Sequence, residues 1–197
     1  EKQKYLKFTH NFDDDILSAS RNMAKRYRCN TSHGQKIENY ALQIFDAMKK
    51  FHGLGTRERL LIQIASILHD CGKFISLRDS SACAYNIIMA TEIIGLSHAE
   101  REIVAEVVRC NLDAFRYGEG SIRAGKLTAM LRLANAMDRS HHGRLDDGKL
   151  QVKGNKLIIS TSYAGNLALE TMAVEDKADF FEEMFGIRPE IRQKRRV

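Results

Sequence analysis

The chain has 197 residues, 44% of them hydrophobic and 28% charged. That is enough apolar material to bury a full-sized core, and it excludes disordered and collagen-like chains. The formal charge of +6 comes from 31 basic residues against 25 acidic ones; an excess this mild favours polyanionic partners without naming one.

Helix-period apolar patterns fill most of the chain up to about residue 143, and the one proline lies beyond it, at Pro189. Asp13, Asp14 and Asp15 suit a helix start, and Ile16, Ala19, Met23 and Tyr27 give the apolar face of a first helix from about Asp14 to Tyr27. A second helix begins near Thr31 or Ser32, carries Ile37, Tyr40, Ala41, Ile44, Phe45 and Met48 on one stripe, and ends before Gly53-Leu54-Gly55. Thr56 is the expected cap of a third, strongly apolar helix that delivers His69 and Asp70 at its C-terminal end, before Gly72.

The next helix is expected from Ser81 to Ile94, stopped by Gly95. Ser97-His98-Ala99-Glu100 reads as a capping box for the one after. A Gly-rich loop, Tyr117-Gly118-Glu119-Gly120, then leads into a last bundle helix from about Arg123 to Ser140.

Beyond His141-His142-Gly143 the pattern changes. Lys149 to Val152 and Leu157 to Thr161 flank Gly154-Asn155, a pair that tolerates positive φ, and so predict a β-hairpin. Asn166 to Leu169 suggests a further short strand, then comes an amphipathic helix through Phe180, Phe181, Met184 and Phe185 to Gly186, and Arg188 to Gln193 closes the sheet. The fold class is mostly α: a helical bundle over residues 1–143 followed by a small α+β appendage of βαβ type over residues 144–197.

Cys29, Cys71, Cys83 and Cys110 sit at wide, irregular spacings, so neither a zinc pair nor a disulfide framework is expected, and reduced thiols place the protein in the cytoplasm. No signal sequence opens the chain, and no apolar run approaches the roughly 20 residues that span a bilayer. A membrane partner is therefore not expected. Beginning at Glu1, the chain reads as a piece of a longer protein.

Two constellations carry chemistry. His33, His69 and Asp70 are imidazole and carboxylate donors on separate helices, the donor types that converge on a divalent ion able to activate water and to stabilise phosphoryl oxygens. Lys73, Arg78, Arg132, Arg139, His141 and Arg144 form a second, basic set suited to phosphate. His141-His142 carries no zinc signal, since neighbours on a helix do not share a face. The terminal Arg192, Lys194, Arg195 and Arg196 read as a solvated tail, and the scarcity of interleaved aromatics argues against nucleic acid as a partner. Phosphate-binding loops and nucleophile elbows are absent, so no catalytic residue is assigned.

The string Leu68-His69-Asp70-Cys71-Gly72-Lys73, taken with His33 upstream, resembles the metal-binding core of the HD phosphohydrolases, and the bundle is accordingly expected to be HD-like. Asn135, in Leu133-Ala134-Asn135-Ala136-Met137-Asp138, stands where that pattern expects an aspartate, so metal affinity should fall and the cluster reads as a hydrogen-bonded polar group.

Longer stretches are similar to the C-terminal region of the exopolyphosphatase and guanosine pentaphosphate phosphohydrolase family. These are Asp15 to Tyr27, Ala41 to Asp46 after His33, Ala65 to Ile75, Glu92 to Glu100, Lys126 to His141 with its Met-Asp-Arg-Ser-His ending, and Ala173 to Gly186. The resemblance implies that catalysis, with Mg or Mn, resides in N-terminal actin-like domains that this sequence lacks. The present part would bind inorganic polyphosphate or another phosphate polyanion, support a homodimer and hold no cofactor of its own. Cys83, Asn111 and Asn135 depart from the family's usual histidine, histidine and aspartate, which weakens metal-dependent catalysis here. Two alternatives stay open: an independent metal-dependent HD phosphohydrolase built on His33, His69 and Asp70, and a purely structural dimer module.

Overall fold

A computed structural model describes residues 12–115 and 121–194. Helix α1 (Phe12–Arg26) opens on the three aspartates, as their charge requires, and buries Ile16, Ser20 and Met23. Helix α2 (Thr31–Ala47) is capped by Asn30, whose Oδ1 accepts the His33 amide, and it is followed by a single turn, α3 (Lys49–His52). Helix α4 (Thr56–Leu68) lies at the centre of the bundle, with Leu61, Ile62, Ile64, Ala65 and Leu68 wholly inaccessible. Its cap is Gly55 rather than Thr56, and the Glu58 carboxylate reaches back to accept the Gly55 amide at 2.8 Å.

A 3-10 turn (Cys71–Phe74) leads to α5 (Ser80–Ala90). This helix stops four residues before the expected Ile94, at Thr91, whose backbone is extended while its hydroxyl bonds the Ile87 carbonyl. Gly95 thus serves the following turn and not a helix cap. Helix α6 (His98–Cys110) begins with the expected capping box, Ser97 Oγ accepting the Glu100 amide and Glu100 accepting the Ser97 amide. The Tyr117 to Gly120 loop lies outside the described residues. Helix α7 (Ile122–Met137) ends before the expected Ser140, because Asp138 leaves helical geometry to make the contacts described below.

Strands β1 (Lys149–Lys153) and β2 (Lys156–Thr161) form the antiparallel hairpin, with Gly154 at φ 61° in its turn. The expected strand at Asn166 to Leu169 is not formed: Asn166 Oδ1 accepts the Ala168 amide and opens α8 (Ala168–Phe185) directly. Strand β3 (Arg188–Gln193) pairs parallel to β2, so α8 is the crossover of a β-α-β unit and the sheet order is β1-β2-β3. Leu157, Ile159, Val174 and Phe181 join one continuous core with the bundle, and α8 packs chiefly on α7. All four cysteines are free thiols, as their spacing implied. No helix among the described residues is long and apolar enough to cross a membrane.

Candidate functional site

Three helix ends meet at one place. The first turn of α2 presents His33, the C-terminal end of α4 presents His69 and then Asp70, and the residues after α7 present Asp138 and His141. Gly72 lets the following turn pack closely: a Cβ there would run into the Ser80 carbonyl and lie 2.7 Å from the Ala84 nitrogen, in the first turn of α5. Only glycine lets the turn carrying Asp70 and Lys73 lie flat on α5.

His33 Nδ1 lies 2.8 Å from Asp138 Oδ2, and both side chains are almost fully buried. Burial alone would raise the Asp138 carboxyl, but the His33 bond and the Gly143 amide outweigh it, so the group sits below the usual carboxylate range. An ionised carboxylate only accepts, and Nδ1 of His33 is therefore the donor. Asp138 Oδ1 accepts the Gly143 amide at 2.9 Å. The His141 ring stacks on His33 at 3.8 Å and 8°, from a left-handed backbone with φ 59°.

His69 sits edge-on to His33, with ring centres 5.4 Å apart. Its Nδ1 is 2.7 Å from the Ser66 carbonyl, an acceptor, which assigns the ring proton to Nδ1. Burial pushes the ring's pKa down despite Asp70 beside it, so the neutral form is favoured and Nε2 carries a lone pair. That atom is buried without a hydrogen-bond partner, 3.5 Å from Asp70 Oδ1. Asp70 is itself held below the carboxylate range: burial raises it, but His69 and the Lys73 ammonium, 2.6 Å away, prevail. Two acceptors therefore face each other. Cys29 and Cys71, adjacent to Asp70 electrostatically, are pushed by burial up to about 11 and about 12, so both remain thiols and poor ligands at neutral pH.

The fit to a divalent ion is partial. Each histidine is oriented through Nδ1 by an acceptor, the arrangement that frees Nε2 for a metal. Yet among the described residues no three His, Cys, Asp or Glu side chains are grouped as a ligand set.

The expectation built on Asn135 is corrected. Asn135 lines a separate groove of about 520 Å³ between α7 and α8, together with Asn111, Arg132, Arg139 and Lys177. The carboxylate that reaches His33 comes from Asp138 instead, so this part of the cluster keeps its negative charge. His141 and His142 are not on a helix either: they follow α7 in a turn, where only the first reaches His33.

The six basic residues do not form one patch. Lys73 and His141 border the histidine cluster. Arg78 is exposed in the segment before α5. Arg132 donates to the Cys110 and Asp113 carbonyls and covers the Phe180 ring at 4.6 Å. Arg139 is exposed on the α7–α8 groove. Arg144 donates to the Asn166 carbonyl at 2.7 Å and stands 3.7 Å from the buried Glu170. Asp138 and Arg28, which borders the same cleft, were not singled out as site residues from sequence; the Met-Asp-Arg-Ser-His string was the available signal for Asp138, and Arg28 had none.

These features define a mostly helical module with a small sheet, in which two histidines and two aspartates meet where three helices end. The chain belongs to the family described as Ppx/GppA phosphatase, domain III, which it matches over residues 17–176. It is also 24% identical over 157 residues to the guanosine-5'-triphosphate,3'-diphosphate pyrophosphatase of Photobacterium profundum, a match that takes in 77% of this chain and 32% of that relative. The chain thus spans about a third of the length of this curated relative.

Proposed function

We propose that this chain is the polyphosphate-binding part of an exopolyphosphatase-like hydrolase, active on polyphosphate or guanosine pentaphosphate, whose chemistry takes place in N-terminal actin-like domains using Mg or Mn. In this reading the part itself binds the phosphate polyanion, supports a homodimer and is catalytically silent alone. The observation that carries it is the placing of Arg28 and Lys73 on one cleft beside the histidine cluster, in a chain of this family. Cations placed along a phosphate chain displace its counterions, so affinity should fall steeply and linearly on a log-log plot against salt. Titration of the chain with long-chain polyphosphate between low and physiological salt tests this. A flat dependence overturns it.

A second reading, an independent metal-dependent phosphohydrolase on His33, His69 and Asp70, is favoured by one observation: His69 Nε2 and Asp70 Oδ1 face each other 3.5 Å apart, two lone pairs with no shared proton. A divalent ion bound there would supply an activated water. Elemental analysis after Mn²⁺ incubation, with His69→Ala as control, tests it; stoichiometric metal lost in the control supports the reading, and no specific metal removes it.

A further inference from the structure

We propose that Arg28 is a phosphate-binding residue at the mouth of the histidine cleft, an assignment that rests on the phosphate-polyanion reading above and gives it a specific contact. The cleft, of about 230 Å³, is lined by residues that include Arg28, Cys29, Asn30, Asp70, Lys73 and Phe74. This is ample for a phosphate group.

The charges facing it decide which residue matters. Lys73 and Asp70 are 2.6 Å apart and cancel. Asp138, deeper in, has both oxygens engaged, one by His33 and one by the Gly143 amide. Arg28 forms no ion pair among the described residues, and it therefore gives the cleft its net positive sign. Its guanidinium lies over the Phe74 ring at 5.8 Å, and that ring is buttressed edge-on by Tyr27 at 5.9 Å. A guanidinium with no carboxylate partner keeps its N–H groups available to a phosphate, which it can grip through two parallel bonds. At the inner end of the cleft stands Asp70, backed by the unpartnered Nε2 of His69.

The backbone fixes where Arg28 stands. Among the described residues only Arg28, at φ 50°, and His141, at φ 59°, are non-glycine residues in the left-handed region. Arg28 lines the cleft and His141 stacks on His33. At Arg28 this conformation ends α1: its amide donates to the Lys25 carbonyl and the Cys29 amide to the Ala24 carbonyl, the bond pair of a left-handed helix terminus, which sets the side chain at the edge of the cleft.

The test compares the chain with Arg28→Gly and Arg28→Lys, titrated calorimetrically with inorganic pyrophosphate and, separately, with long-chain polyphosphate, alongside thermal melts. Arg28→Gly keeps the loop's backbone conformation and removes only the side chain. The expected result is pyrophosphate binding that weakens about tenfold or more in Arg28→Gly, weakens less in Arg28→Lys, and is accompanied by an unchanged or higher melting temperature. Pyrophosphate affinity equal in Arg28→Gly and the parent, or no pyrophosphate binding by the parent, overturns the assignment. If the parent binds pyrophosphate through Arg28 but does not bind long-chain polyphosphate, the polyphosphate reading fails while the subsite stands. If polyphosphate binds and Arg28→Gly changes neither titration, the subsite fails and that reading survives.

Discussion

His33 and Asp138 are 105 residues apart in sequence and meet at 2.8 Å, with the Asp138 side chain wholly buried. One contact joins the start of α2 to the end of α7, and it orients the imidazole on which His141 stacks.

Replacing Asp138 by Ala should therefore cost about 3–5 kcal/mol, the range for breaking a buried charged contact while leaving its partner in place. Asn135→Ala, at a half-buried groove position, should cost less than about 1 kcal/mol. Urea denaturation of the two variants compares the roles directly; equal destabilisation would return the central place in the site to Asn135.

Two glycines should respond in opposite senses to a single methyl group. Gly72→Ala forces a Cβ into the backbone of Ser80 and Ala84 and should destabilise by at least about 2 kcal/mol. Gly34→Ala, inside α2 with nothing within 4 Å of the new Cβ, should stabilise by about 0.5–1 kcal/mol. Thermal melts of both variants would show the opposite shifts.

Glu100 sets part of the acid limb of stability. The Arg57 bonds, acting with the Ser97 amide and hydroxyl against burial, hold its carboxyl down at about 2. A carboxyl depressed on folding contributes stability that is complete above its unfolded value near 4.5 and is lost as pH falls towards 2. The pair is largely at the surface, so solvent screening limits the contribution to about 1 kcal/mol. The melting-temperature gap between the parent and Glu100→Gln should accordingly be present at pH 7 and close between pH 5 and about 2. A gap that persisted at low pH would assign the effect to packing instead.

Arg132 offers a control for the phosphate reading. Its guanidinium closes the C-terminal end of α6 through the Cys110 and Asp113 carbonyls and rests on Phe180. Arg132→Ala should lose about 2 kcal/mol of stability and leave polyphosphate affinity within about twofold. A large loss of affinity with normal stability would make it a binding residue.

What could be read from the sequence was what short-range chemistry determines. The Ser97–Glu100 box, the Gly154-Asn155 hairpin and the aspartate-led start of α1 each depend on residues within one turn of each other, and all three form as expected. The missed element boundaries turn on local side-chain bonds that apolar patterning does not register, and the missed site contact on a partner far along the chain. Asn166 looks like part of a strand until its side chain is seen opening α8, and α5 stops early because Thr91 turns extended, which its apolar continuation through Ile93 and Ile94 conceals. In the site, His33, His69 and Asp70 were legible because their residue types are distinctive. Asp138 was passed over for Asn135 because one helical turn separates them, and a helix that ends at Met137 instead of Ser140 changes which of the two reaches His33.

The sheet has two open edges, and its composition gives the basic excess another task. Lys149 and Lys153 lie exposed on β1, and Arg188, Pro189 and Arg192 lie on β3. Exposed lysines discourage pairing along β1, and on β3, where Arg188 and Arg192 are engaged by Asp179, Glu182 and Glu190, proline has no amide to offer an incoming strand. Neutralising these positions would show first as edge-to-edge aggregation of the folded chain, before any phosphate titration registered a change.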